Sequence, residues 1–544
     1  MRFLPVSLNA LLVELADLDQ TLALLASLQR TPLTGVQELV PAARTLLVQF
    51  RPAATSVAEL VHAIAARDLS QQVQRDATRV EIPVHYDGED LAEVAQLLAI
   101  TPEELVRRHT GSDYNVAFVG FAPGFAYLSG GHESLNVPRR ATPRTRIPAG
   151  AVALAGSFSG VYPQASPGGW QIIGRTPLAM WDMERDMPAL LQPGFRVRFV
   201  DIATLSEASR AALAGATVQK TLKPAAPVPG TGQALEVRSP GLLTLLQDGG
   251  RPGLAGQGVS ASGALDQGAC RTANRLVGNA SHLACLETVG GGLQLASHGE
   301  TVVAVTGADA PLTLTTAGGT RHAVPRYQAL ALAHGDVLAI GAPRAGTRCY
   351  VAARGGFDVA PVLGSLSTDT LAHVGPPALV AGDRLALCDV AHGAITGNAE
   401  LPQDDLPSLC EDVVLDVIPG PRTDWFTPEA LALLAGQRRR VPPQSNRVGL
   451  RLAGDEPLTR TITQELPSEG TVTGAIQVPA SGQPVLFLAD HPLTGGYPVI
   501  ACVAPHHLDL AGQIPVGAWL RFNAIRPFQE LSAAADAPAE CNPP

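Results

Sequence analysis

The opening stretch of the chain alternates between two hydrophobic periods. Residues 9–15 read as a strand. Residues 17–29 set Leu22, Leu24, Leu25 and Leu28 on the apolar face of a helix, and 36–50 split into two strands around Pro41. Ser56 opens a second helix over 56–67, with Glu59 three residues on as a capping box, and 79–85 form the next strand. This β-α-β-β-α-β order predicts a small α/β sandwich of the split βαβ kind. The pattern then changes. Helices over 90–98 and 101–110, the second opened by Thr101-Pro-Glu-Glu, give way from Val116 to Val200 to short apolar runs broken by Gly and Pro, which predict a barrel. Residues 206–235 hold a helical piece and then a Pro/Ala/Gly run with no apolar face, a linker. Beyond it the chain is again mostly strand and turn, with a helix over 264–277, a break near Pro402–Pro407, a strand over 412–418 and a capped helix at 427–435. The expected organisation is an α/β domain (1–85), a barrel domain (86–205), a linker (206–235), a β domain (236–405), a second β-barrel domain (406–532) and a disordered tail (533–544). The fold class is mainly β with α+β character.

A length of 544 residues suits three or four domains of about 100–200 residues each. A net charge of −10 and an aromatic content of 4% argue against nucleic-acid binding. Lysine changes the picture most: Lys220 and Lys223, both in the linker, are the only two. No GxxxxGK[ST] occurs, and neither Schiff-base chemistry nor a biotin-carrying lysine in a folded carrier domain is easy to place. Any grip on an anion falls to Arg and backbone N–H groups. The seven cysteines (Cys270, Cys285, Cys349, Cys388, Cys410, Cys502, Cys541) include no CxxC and suit reduced thiols in the cytoplasm. No signal peptide and no apolar run of about 18 residues is read, so no membrane span is expected.

Two Pro/Gly-dense blocks, in different halves, look like rigid walls of a site: Val-Gly-Phe-Ala-Pro-Gly-Phe-Ala-Tyr-Leu at 119–128, and 468–498 from Ser468 through Gly474 to Pro498. Around the first, Arg139, Arg140, Arg144 and Arg146 crowd a Pro-stiffened stretch suited to bidentate anion binding. The 162–171 run, with Ser166, paired glycines and Trp170, could form an anion nest, with Gln171 and Arg175 as polar candidates. His109, ending a helix, serves either that helix's carbonyls or proton transfer. In the second half Asp266 suits an N-cap. Arg447 and Glu469 read either as a structural pair or, with Arg422, Gln477, Asp490 and Tyr497, as a convergent polar pocket. His506-His507 is not spaced as a metal pair on one helix face, and no HExxH, Cys pair or GxSxG occurs, so no metal is expected.

Longer strings carry a family resemblance. Pro83-Val-His-Tyr, His109 through Leu128, Pro138-Arg-Arg to Pro148-Ala-Gly and Ser166-Pro-Gly-Gly-Trp-Gln-Ile-Ile-Gly-Arg-Thr176 resemble the B subunit of bacterial 5-oxoprolinase, the Kip-inhibitor family, over about 5–215. Gln247-Asp-Gly-Gly-Arg-Pro-Gly253, Gly263-Ala-Leu-Asp266, Ala273 to Asn279, Gly364-Ser-Leu-Ser-Thr-Asp369, Gly420-Pro-Arg422, Ser445-Asn-Arg-Val-Gly-Leu450 and the block from Gly474 to Pro498 resemble the C subunit over about 236–530. Leu366 stands where that second subunit usually has Arg, and Leu493 where it usually has Thr.

The resemblance implies a fusion of two usually separate subunits, related to allophanate-hydrolase-type modules, with cyclophilin-like β-barrels behind the small α/β domain. It implies ATP-dependent opening of 5-oxo-L-proline to L-glutamate with a separate A subunit, ATP (with Mg2+) being the co-substrate; a homo-oligomer is compatible with it. On this reading Arg144, Arg146, Gln171, Arg175, Arg422, Arg447 and Gln477 bind substrate or anion, and Glu469, Asp490, Tyr497 and His109 act in catalysis. A biotin-dependent carboxyltransferase with a separate carrier, a regulator of a sensor histidine kinase and a structural scaffold for another catalytic subunit are the alternatives.

Overall fold

The computed structural model describes residues 1–70, 78–140, 142, 144–207, 232–390 and 393–532. The expected linker therefore lies, apart from its ends, outside the described residues, as does the expected tail.

The N-terminal sheet is antiparallel, in the order Arg2–Ser7, Ala10–Glu14, Thr45–Phe50, Val36–Pro41. Strand residues alternate between its faces, and both faces are apolar. Leu11, Val13, Leu46 and Val48 pack under the helices Leu18–Arg30 and Val57–Ala65. Leu4, Val6, Leu12, Val40 and Leu47 form one core with Val472, Phe487, Leu493 and Val499 of the second half. The two halves thus share buried apolar surface, which explains the near-continuous hydrophobic run at 10–13. The Ser56 capping box is present in both directions. Two readings are corrected. Arg2–Ser7 is an additional strand, hairpinned onto Ala10–Glu14. The strand Arg79–Val84 leaves this sheet and pairs in parallel with Arg196–Asp201 in the next one, because Ile82 and Val84 belong to that core.

That next sheet has seven strands, in the order Gln171–Arg175, Ala151–Ala155, Phe158–Val161, Ala126–Ser129, Tyr114–Val119, Arg196–Asp201, Arg79–Val84. It curls until its edges meet: His85 and Arg175 exchange backbone hydrogen bonds of 2.8 and 2.9 Å. Ile82, Val116, Leu128, Val152, Leu154, Ile173 and Phe199 fill the interior.

In the second half a six-stranded and a five-stranded sheet sandwich Leu235, Leu286, Leu295, Val303, Val351 and Leu385. The helix Gln267–Leu276, N-capped by Asp266, covers the far face of the five-stranded sheet. The last sheet again has seven strands, from Arg439–Arg440 at one edge to Gly449–Arg451 at the other, with Val413–Pro419 parallel to Trp519–Ala524. Arg440 and Ala453 exchange backbone hydrogen bonds of 2.8 and 2.9 Å across the gap. The protein is mainly β, built on curled, nearly closed sheets. Among the described residues no helix is long and apolar enough to cross a membrane.

Candidate functional site

The two Pro/Gly-dense blocks, more than 300 positions apart, meet face to face. A Cβ on Gly120 would stand 2.6 Å from Thr494 Oγ1, so only glycine lets these segments approach. Gly124 N–H donates to the Gln257 carbonyl at 3.0 Å, and Gly258, at φ +79°, lies against the Ala122 carbonyl. Ser468 Oγ lies 3.4 Å from Tyr127 Oη and accepts from Arg139 at 3.4 Å, while its carbonyl accepts from Ala43 N at 3.1 Å. Arg139 pairs with Glu465 at 2.7 Å and lies flat against Gly496. Gln164 reaches the Leu371 carbonyl at 3.0 Å. Glu38 accepts from the backbone of Gly253 and Ala255 at 3.1 and 3.0 Å.

The first half contributes an aromatic floor. Phe118 stacks on Tyr127 at 4.3 Å, and Trp170 stands edge-on to Phe125 and Tyr127 at 5.2 and 5.4 Å. Burial and the neighbouring Tyr127 push the Tyr162 phenol up against the opposing pull of Arg139 and Arg144, so it stays a neutral donor. Several buried polar atoms in the two halves have no protein partner among the described residues: Ser166 Oγ and Gln171 Oε1 in the first, Gln257 Oε1 and Thr494 Oγ1 in the second. Phe121, Ser262 and His373 hold positive φ (66°, 54°, 55°) in loops at or beside this contact, a strain that marks functional segments. Hydroxyl donors, amide acceptors and the Arg139 guanidinium suit a small polar or singly anionic molecule.

Most residues singled out from sequence are elsewhere, already neutralised. Arg144 grips Asp90 with both terminal nitrogens, at 2.9 and 2.6 Å, and Arg140 adds a third contact at 2.7 Å. Asp90 also accepts from Ile172 N at 2.7 Å, so these arginines fasten the helix Leu91–Leu97 to the barrel edge. Arg146 is exposed, and Arg175 is exposed and paired with Asp87 at 2.7 Å. Gln171 is anchored by Nε2 to the Pro138 carbonyl at 3.2 Å. His109 is fully buried between Tyr86 Oη (2.7 Å) and Ser159 Oγ (2.9 Å), stacked on Phe199 at 4.3 Å; burial pushes its imidazole down to about 3. It is a neutral packing residue, out of reach of a substrate proton.

Arg447 belongs to a buried latch. It binds Asp490 through Nε and one terminal nitrogen, both at 3.0 Å, Glu287 through the other, and the Gly263 carbonyl at 2.7 Å. Asp490 also accepts from Ser262 Oγ at 2.6 Å and from the Thr370 N–H and hydroxyl at 2.9 and 2.7 Å. Burial would raise its carboxyl, but Arg447 holds it below the ordinary range. Four of the five N–H donors of Arg447 are used and its charge is matched by two buried carboxylates, so it is poorly placed to grip a substrate anion, and Asp490 is no free base. Arg447 and Glu469 are not partners: Glu469 pairs with Arg422, which also reaches Glu14 at 2.9 Å across the halves. Burial pushes the Glu469 carboxyl up, with Arg422 opposing. Gln477 binds the Tyr497 carbonyl at 3.1 Å, and Tyr497, next in the chain to Gly496, is 39% exposed.

Sequence reasoning missed Asp90, Glu287, Glu14, Tyr127 and Thr494 as organising residues. Asp90 stands about 50 positions before the arginines it holds, so no local signal marked it. The others depend on contacts between distant segments. Asp416 Oδ2 and His506 Nε2 lie within hydrogen-bond distance of each other at 3.0 Å, and His507 Nδ1 beside them accepts from Asp416 N–H at 2.8 Å, so these ligand atoms already have protein partners.

The family described as carboxyltransferase domain, subdomain C and D, matches residues 1–191, and carboxyltransferase domain, subdomain A and B, matches 257–524. The 5-oxoprolinase C subunit of Escherichia coli (strain K12) is 34% identical over 56% of this chain and 94% of its own length. The chain belongs to the 5-oxoprolinase subunit family. Its first half matches the 5-oxoprolinase B subunit of Bacillus subtilis (strain 168), 45% identical over 25% of this chain and 58% of that relative, so the match spans under two thirds of it. B-like and C-like regions thus occur in one chain. The crystal structure of TTHA0988 is 34% identical, with a TM-score of 0.81, and covers 95% of this chain and 99% of that one.

Proposed function

We propose that this protein is the fused B/C component of a 5-oxoprolinase, opening 5-oxo-L-proline to L-glutamate at the expense of ATP together with a separate A subunit. The observation that carries the reading is the seam itself. Relatives of the two halves bear the names of two subunits of one enzyme, and here the glycine-rich blocks of both halves pack directly against each other, with polar groups buried at the contact. The lactam presents one N–H, one ring carbonyl and one carboxylate. The seam offers acceptors such as Gln257 Oε1 for the N–H, hydroxyls such as Thr494 for the carbonyl, and Arg139, whose pair with the exposed Glu465 would open, for the carboxylate. Hydroxyl donors held against a ring carbonyl would stabilise the charge that develops there as water adds.

ATP does not fit this chain's own residues. No phosphate-loop lysine exists, and the candidate anion-binding arginines Arg144, Arg422 and Arg447 are bound to carboxylates rather than free to face a triphosphate. We therefore assign ATP and its Mg2+ to the A subunit and route no step through them here. The test is glutamate release from 5-oxoproline with the full chain, ATP and an added A subunit. Release that requires all three supports the reading; none under any combination refutes it. The carboxyltransferase description of both matched families favours a second reading, transfer of a carboxyl group from a separate biotin carrier. Avidin would abolish that activity and leave lactam hydrolysis intact.

A further inference from the structure

A cavity of about 170 Å³ lies outside the seam, between the helix Pro428–Gly436, the strands Val413–Pro419 and Trp519–Ala524, and residues 526–528. Its walls are apolar: Val417, Leu431, Leu434, Ile500, Phe522 and Phe528. The Thr423 hydroxyl on the same wall is satisfied, donating to the Ile500 carbonyl at 3.0 Å. Among the described residues one charged group lines the cavity, Arg526. Arg526 is exposed on its outer side, its guanidinium is pushed down by such burial as it has, and no carboxylate or carbonyl opposes that shift. It is thus unlike Arg144, Arg422 and Arg447, each of which is held by a carboxylate.

An apolar space of this size with one unpaired cation at its edge is the negative image of a short amphipathic acid. An apolar cavity of about 150 Å³ takes up benzene, which sets the scale at roughly six carbons. Burying the apolar body and pairing the head group with a planar guanidinium would satisfy both features together. We propose that this cavity is a binding site for a small monocarboxylate with an apolar body of about six carbons, its carboxylate on Arg526. The site does not depend on the reading of the seam. Thr423 follows Arg422, whose pair with Glu14 joins the two halves, so a ligand here would press on the segment that carries that joint.

The probe is hexanoate, compared with hexanol, titrated into the full chain and followed by calorimetry and ligand-observed NMR. The proposal expects hexanoate to bind more tightly than hexanol. Arg526→Gln should weaken hexanoate at least tenfold and leave hexanol unchanged. Ala435→Trp, on the exposed last turn of the helix, should block both. Unchanged melting temperatures in the two variants would show that they remain folded. Hexanoate failing to bind at millimolar concentration, binding no better than hexanol, or binding unchanged in both variants would each overturn the proposal.

Discussion

The two seven-stranded barrels are built alike and stabilised differently. Each contains one parallel strand pair and closes its edges with a two-way backbone bridge, His85 with Arg175 in the first and Arg440 with Ala453 in the second. Inside the first barrel the polar core is neutral: Tyr86, His109 and Ser159 satisfy one another, and Asp90 with its arginines sits at the edge. The second barrel is tied to the neighbouring sandwich by buried ions, Arg447 with Asp490 and Glu287, and Arg348 nearby. The Tyr86–His109–Ser159 cluster is made within the first barrel, whereas the buried ions of the second need the neighbouring sandwich to complete them. Residues whose chemistry suggests catalysis can therefore be fasteners, and burial with a paired opposite charge is what marks that role.

The largest effect should come from breaking the ionic latch. Arg447→Met leaves Asp490 and Glu287 buried without their cation and should cost about 3–5 kcal/mol, read as a shift in the denaturation midpoint. His109→Phe, which removes no net charge, should cost less; equal losses in the two variants would erase the distinction between the barrels.

Acidity should push the two halves in opposite directions. His109 is depressed to about 3, so its contribution is present above the unfolded value near 6.5 and is lost as pH falls through that window, amounting to about 2 kcal/mol at pH 5. Asp266, raised to about 7 by burial and the Asp509 charge, and Asp369, raised to about 6 by burial and Asp490, behave conversely. Their contribution is present below the unfolded value near 3.8 and is lost as pH rises through 6 to 7. Hydrogen exchange at pH 5 and pH 7.5 should show protection falling around His109 and rising around Asp266 as the solution is acidified. Parallel changes in both regions would contradict this.

The smallest effect belongs to Arg146. It is exposed, so Arg146→Gln should change stability by under about 0.5 kcal/mol and leave glutamate release unaltered.

Much of the fold was legible because it follows local rules. Ser56 with Glu59, Thr101-Pro102, Asp266 and Thr427-Pro428 each announce a helix start, and each helix begins there. The Pro/Gly blocks were legible as walls for the same reason. The strand Arg2–Ser7 was missed because both its faces are covered, one of them by a segment more than 400 residues away. Arg447 reads as anion-binding and Asp490 and Glu469 as catalytic candidates, yet their partners are set by tertiary contact, and spacing cannot tell an ion-paired guanidinium from a free one. Tyr127 and Thr494 stayed hidden because nothing local says that the two blocks touch.

The central claim is that both halves contribute to one seam at which substrate is held. A double-mutant cycle between Arg139→Gln in the first half and Ser468→Ala in the second, read as kcat/KM for ATP-dependent glutamate release with the A subunit present, tests it most directly. The account predicts that each single change lowers kcat/KM at least tenfold and that the double change falls well short of the product of the two. Single changes under twofold, or losses that simply multiply, would contradict it.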